Sequence, residues 1–101
     1  MSDEQLDLRP LAGLRVIEVG QLLAGPFTGT ILGYFGAEVI KVEPPKVGDP
    51  IRGWREVRNG TSLWWASLSR NKKCITLDLK TRKGQEVLKK LANTADVFVE
   101  N

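Results

Sequence analysis

The stretch Arg15 to Glu43, RVIEVGQLLAGPFTGTILGYFGAEVIKVE, restricts the possible folds of this chain more than any other. It opens on a short apolar run (Val16, Ile17, Val19), breaks at Gly20, and closes on a second run (Val39, Ile40, Val42). Between them, Pro26 suits the first position of a helix, where a backbone N–H would lack a partner anyway, and Gly36 suits the left-handed residue that ends one. The order is strand, turn, helix, strand. Inside the helix Phe27, Ile31, Tyr34 and Phe35 make an apolar stripe, while Gly25, Gly29 and Gly33 recur every four residues and leave another side bare. Two readings of the bare side stand: the helix packs tightly on its own sheet, or the Gly20 to Gly25 turn aims unpaired N–H groups at an anion. The pattern is not GxGxxG, and spacing alone does not choose between them.

After Glu43 the pair Pro44-Pro45 forbids helix and stops ladder pairing, so the chain leaves the sheet. Lys46 to Asn71 is rich in Gly, Pro, Asn, Arg and aromatic residues; Asp49-Pro50 and Asn59-Gly60 are turn signals, and a short helix fits residues 62–68. All three tryptophans lie in this stretch. Side chains this large either plug one end of a local core or face something outside the chain. Residues 73–79, KCITLDL, then set Ile75, Leu77 and Leu79 against Thr76 and Asp78, the period of a strand. Thr81 caps a helix with Gly84, Val87, Leu88 and Leu91 on one face, and Asp96 to Glu100 make a last strand.

Strands near 15–19, 38–43, 73–79 and 96–100, separated by helices near 26–35, 62–68 and 82–92, define an α/β unit with a parallel sheet and right-handed crossovers. Such sheets bind ligands beyond the carboxyl ends of their strands. The candidate positions are Gly20 to Gly25, Glu43 to Lys46, Asp78 to Thr81, and Glu100-Asn101. Residues 1–10, acidic and polar, read as a flexible leader, and residues 11–101 as a single domain portion.

With 101 residues the chain has room for one modest core. Its charge of +3 comes from fifteen basic residues interleaved with twelve acidic ones, which suits a small phosphorylated ligand better than nucleic acid. Cys74 is alone and there is no His, so neither an internal disulfide nor a zinc cluster nor an imidazole base is expected. No apolar run approaches the roughly 20 residues needed to span a bilayer, and the N-terminus lacks a signal-peptide pattern. The expectation is a metal-free protein of the reducing cytoplasm, without membrane or nucleic-acid partners. Acidic residues are the only plausible nucleophiles, and none of Glu18, Glu38, Glu43, Asp49, Asp78, Asp96 and Glu100 has an activating neighbour that spacing identifies. Glu18 and Glu38 alternate with apolar neighbours and read as solvent-facing. Arg82 and Lys83 oppose the helix dipole where they sit, a sign that a nearby anion would reverse.

Four stretches in order, LLAGPFTGTILGYFGAEVIKVEPP, GDPIRGW, SRNKKCITLDLKTRKG and ADVFVEN, resemble the N-terminal part of the class III CoA-transferases, the family of formyl-CoA transferase and carnitine CoA-transferase. The resemblance implies a Rossmann-like CoA-binding half, of which this chain is an incomplete portion, a second smaller domain, and a homodimer of subunits interlocked as rings. The implied reaction moves CoA from an acyl-CoA to a small carboxylic acid through an enzyme Asp, which splits one hard acyl exchange into easier ones. The family places that Asp beyond the VEN motif, so the resemblance implies an isolated chain without turnover. Carried over, its CoA contacts are Leu23 and Ala24 in the first turn, Leu77, Asp78, Leu79 and Lys80 after the third strand, and Asn101. Pro44 stands where many members carry Arg; Lys46 is the nearest substitute, a flexible ammonium rather than a guanidinium fork. The α-methylacyl-CoA racemases share the first motif but have a shorter link before the third strand. A reading from another class is a non-catalytic interaction module working through Trp54, Trp64 and Trp65.

Overall fold

A computed structural model describes residues 7–101, so the first six residues of the expected leader lie outside the described residues. Four strands, β1 (Arg15–Glu18), β2 (Glu38–Glu43), β5 (Lys72–Thr76) and β6 (Val97–Val99), form an all-parallel sheet in the order β5-β2-β1-β6. Helix α1 (Ala24–Tyr34) joins β1 to β2. Between β2 and β5 lie a 3-10 turn at Pro50–Gly53, a hairpin of β3 (Val57–Arg58) and β4 (Thr61–Ser62), and α2 (Leu63–Leu68). Helix α3 (Arg82–Ala92) then carries the chain past β2 to the far side of β1. The strand order therefore reverses between β1 and β6, and that switch point is where an open α/β sheet has its crevice.

The strands pair in strict register, Val16 with Val39 and with Val97, Glu18 with Lys41 and with Val99. Alternation puts Val16, Glu18, Val39 and Lys41 on the face toward α1, where Val16, Val39 and Ala37 make a core with Leu11, Leu14, Leu32, Val97 and Val99. Ile17 and Val42 point the other way and are also buried. Right-handed crossover places α3 on their side.

Helix α1 docks through its glycines. Gly25, Gly29, Thr30 and Gly33 are buried, whereas Phe27, Tyr34 and Phe35 of the apolar stripe are half exposed. The reason is proximity: a Cβ at Gly29 would run into the Glu18 carboxylate, and one at Gly33 would lie 3.5 Å from Val39. Only bare backbone lets the helix come this near. Of the two readings of the glycine side, packing on the sheet is the one seen for Gly29 and Gly33.

Several expectations need correction. Helix α1 begins at Ala24, so Pro26 is its third residue; its missing N–H still falls in the first turn, where no intrahelical bond is lost. Strand β5 ends at Thr76 rather than 79: Leu77 N–H still reaches Glu43 O at 3.1 Å, but the Asp78 carboxylate then accepts Lys80 N–H at 3.0 Å and turns the chain out. Glu18 does not face solvent. It is fully buried, because a strand inside a parallel sheet has no solvent face to offer. Glu38 is about one-third exposed and bridges Arg15 at 2.6 Å and Lys73 at 2.7 Å, which the row of neighbouring strands brings beside it.

The tryptophan stretch forms a small annex. Asn59 and Gly60 both take positive φ, 52° and 79°, the turn that two-residue hairpins favour. Buried Ser62 caps α2, accepting from Trp64 N–H and Trp65 N–H and donating to Trp54 O at 2.7 Å. Trp54 and Trp64 meet edge to face at 5.2 Å, while Arg52 lies 3.8 Å over Trp65 and Arg55 lies 4.4 Å over Trp54. Much of the tryptophan surface is thus used within the annex, although Trp64 remains 42% exposed.

Candidate functional site

The carboxyl edge of the sheet gathers three of the four candidate positions around one hollow. Val19 and Gln21 follow β1, Glu43, Pro44 and Pro45 end β2, and Leu77, Asp78, Leu79 and Lys80 follow β5; together they line a cavity of about 180 Å³. Its walls are mainly aliphatic and proline. Lys80 stands at the rim, exposed, and forms no ion pair among the described residues. Drug-sized ligands fill roughly 300–1,000 Å³, so this hollow takes one ring-sized portion of a larger molecule.

Asn101 closes the switch point from the β6 side. Its side-chain oxygen accepts Gln21 N–H at 3.0 Å, and its amide nitrogen donates to Gln21 O at 3.3 Å. Gly20 and Gly25 are what admit it: a Cβ on either would collide with the Asn101 side chain, and one on Gly20 would lie 2.9 Å from the Gly25 Cα. Leu23 and Ala24 do not line the hollow. They are exposed at the start of α1, where no side chain caps the helix. The structure therefore brings Leu77, Asp78, Leu79 and Lys80 together with Gln21, joins Asn101 to the same turn, and leaves Leu23 and Ala24 two residues along on the adjoining surface.

Beneath this edge lies a charge network that sequence reasoning missed. Lys41, 1% exposed, places its ammonium 2.7 Å from a Glu18 oxygen and 2.7 Å from an Asp49 oxygen, and donates to Gly20 O at 3.3 Å. Lys72 meets the other Glu18 oxygen at 2.7 Å and donates to Pro26 O at 2.8 Å. Two acids and two bases leave the group neutral, the condition for keeping charge inside a protein. Burial pulls the Lys41 pKa down, but the hydrogen bonds its ammonium donates to Asp49 and Glu18 more than reverse this and hold it above the ordinary lysine value. At Lys72 burial prevails over Glu18, and its pKa falls below that value.

Asp49 also accepts Leu22 N–H at 3.0 Å and Ile51 N–H at 2.9 Å. Next to it, Glu43 accepts Asp49 N–H at 3.0 Å and takes a forked pair of bonds from Arg52, 2.7 and 2.8 Å. Burial raises the Glu43 pKa, yet Arg52 and the Asp49 N–H outweigh it and leave it lowered. One signal for this network was present in the sequence: VIEV and VIKV put opposite charges at matching places in two adjacent parallel strands. Asp49 and Lys72 carried no such mark, because only folding brings them in.

A parallel four-stranded sheet with a hollow and an exposed lysine at its carboxyl edge is the architecture of an open α/β domain. The profile of CoA-transferase family III matches residues 11–101, and the chain belongs to that family. It is 55% identical over 94 residues to the succinyl-CoA–D-citramalate CoA-transferase of Chloroflexus aurantiacus, a match covering 92% of this chain and 23% of that protein. It is 46% identical over 96 residues to the human succinyl-CoA:glutarate CoA-transferase, covering 94% and 22%. The solved structure of a CAIB/BAIF family protein from Brucella suis superposes with a TM-score of 0.81 at 40% identity, over 91% of this chain and 25% of that one. This chain thus spans about a quarter of the length of the relatives it matches.

Proposed function

We propose that this chain is the CoA-binding portion of a CoA-transferase that moves CoA from an acyl-CoA to a small carboxylic acid. The observation that carries the reading is the convergence of Leu77 to Lys80 with Val19 and Gln21 in one hollow, its flat aliphatic walls suited to a ring and its rim carrying a free ammonium. The nucleotide end of CoA enters the hollow, Lys80 meets a phosphate, and Asn101 and the Leu23-Ala24 turn lie along the route toward the thiol. Charge-assisted contact to phosphate gives the Lys80 rim its affinity.

Within the hollow neither acidic residue stands out as an activated nucleophile. Glu43, the one glutamate of the hollow, is committed to Arg52 and to Asp49 N–H, and Asp78 accepts Lys80 N–H. An activated carboxylate needs a free oxygen aimed at the acyl carbon. On this reading the chain by itself binds CoA without turnover, and the full reaction takes place in the reducing cytoplasm with the carboxylate of a longer subunit, in a homodimer.

The test is an amide-shift titration of the 101-residue chain with CoA. Gln21, Ala24 and Lys80 should move at millimolar ligand, and Lys80→Ala should weaken binding by about tenfold, the equivalent of about 1.4 kcal/mol from one lost charge-assisted bond. Silence of all three amides at ten millimolar CoA would end the proposal.

A further inference from the structure

The turn Gly20 to Gly25 is held in a shape that its own residues resist. Leu22 has a φ of 68°, in the left-handed region that a γ-branched L-residue rarely adopts. Nothing within the turn supplies a reason for it. The restraint comes from 27 residues away, where Asp49, 1% exposed, accepts the Leu22 N–H at 3.0 Å through one oxygen. Its other oxygen faces the Lys41 ammonium at 2.7 Å, and that ammonium in turn reaches the Gly20 carbonyl at 3.3 Å. One carboxylate thus grips the turn at two points, directly at Leu22 and through Lys41 at Gly20.

Asp49 is itself fixed. Its N–H is bonded to Glu43, the last residue of β2, and its carboxylate caps the 3-10 turn at Ile51 N–H. Glu43, Pro44 and Pro45 form one wall of the hollow while Gln21, beside Leu22, forms another. Asp49 therefore ties the two walls together from behind without lining the hollow.

Resting on the CoA reading above, we infer that Asp49 is the positioning residue of the ligand-facing turn: its buried carboxylate locks Leu22 in the left-handed conformation and sets the distance between the Gln21 and Pro44-Pro45 walls. It touches no part of the ligand. Its effect on binding passes through the conformation of Leu22.

The experiment compares the unsubstituted chain with Asp49→Ala, Asp49→Asn, Leu22→Gly and the double variant Asp49→Ala/Leu22→Gly. Hydrogen exchange of the Leu22 amide, measured without ligand, should quicken by about tenfold or more in Asp49→Ala, the scale of a lost bond to a charged acceptor. CoA affinity should fall by at least about fivefold in that variant. Leu22→Gly should recover several-fold of the loss in the Asp49→Ala background while changing the unsubstituted chain little, because glycine takes positive φ without being held. If Asp49→Ala does not fold, Asp49→Asn is read instead with a smaller expected effect: it turns the charge-assisted acceptor of Leu22 N–H into a neutral one and sets an amide against the Lys41 ammonium, so Leu22 exchange should quicken by about threefold rather than tenfold. Unchanged Leu22 exchange, or a double variant no better than Asp49→Ala, overturns the inference and makes Asp49 a stabiliser of the fold only. A chain that shows no CoA response but still shows the Asp49-dependent Leu22 exchange keeps the lock and loses the pocket reading.

Discussion

Replacing Lys41 by methionine tests whether the buried charge network is a unit. The ammonium stands 2.7 Å from Glu18 and 2.7 Å from Asp49. At an effective dielectric of about 20 each contact is worth about 6 kcal/mol before desolvation. Most of this is offset by the several kcal/mol needed to strip each ion of water, so the network as a whole contributes little net stability. Removing one member is different. Methionine leaves two carboxylates facing each other with only Lys72 to balance them, and an uncompensated buried charge costs about 3–5 kcal/mol. A domain of this size has roughly 5–15 kcal/mol in total. Urea unfolding followed by tryptophan fluorescence should show a midpoint lower by about 1 M or more, taking roughly 1–3 kcal/mol per molar as the slope. Adding Glu18→Gln restores neutrality, with Asp49 and Lys72 remaining, and should recover at least about 1 kcal/mol of the loss. A cost below about 1 kcal/mol for Lys41→Met, or a double variant whose losses simply add, would show that the groups are solvated and act independently.

Gly29→Ala should destabilise by about 2 kcal/mol in a thermal melt, because the intruding methyl meets the buried Glu18 carboxylate and overpacking outweighs the gain in helix propensity; Gly53→Ala, with open space around it, is the neutral control. Ser62→Ala removes the α2 cap and should cost about 1 kcal/mol, with a shift in tryptophan emission as Trp54 O loses its donor. At low pH, Glu43 titrates below its ordinary value of 4.5, against burial and because of Arg52, and Glu38 is likewise lowered by Lys73 and Arg15. The unfolded chain therefore binds protons first, so this stability is present above about pH 4.5 and is lost as pH falls through the folded values. Arg52→Met should flatten the acid limb of a melting-temperature profile; an unaltered slope would refute the assignment to Glu43.

The local grammar of this fold is legible in the residues themselves. Two apolar runs flanking a proline- and glycine-bounded helix define β1, α1 and β2; Pro44-Pro45 ends β2; Asn59-Gly60 turns the hairpin; Thr81 starts α3, its hydroxyl accepting Gly84 N–H at 3.0 Å. These signals act over a few residues, through φ preference and unpaired backbone groups, and so they survive without knowledge of the rest. The positions of Leu77 to Lys80 and of Asn101 at the sheet's carboxyl edge follow from the same strand order.

What only the folded chain decides is which side of each element is inside. Phe27, Tyr34 and Phe35 look like a core face by hydropathy, yet the glycine side of α1 is the one that docks, since a carboxylate and two ammonium groups occupy the space beneath it. Glu18 looks solvent-facing by alternation, yet a parallel sheet covered on both faces gives alternation no outward direction. Period measures the spacing of side chains along one element. Whether a charge at that spacing is exposed or buried depends on the partner that a distant segment brings, and for Glu18 those partners, Lys41 and Lys72, arrive from β2 and β5.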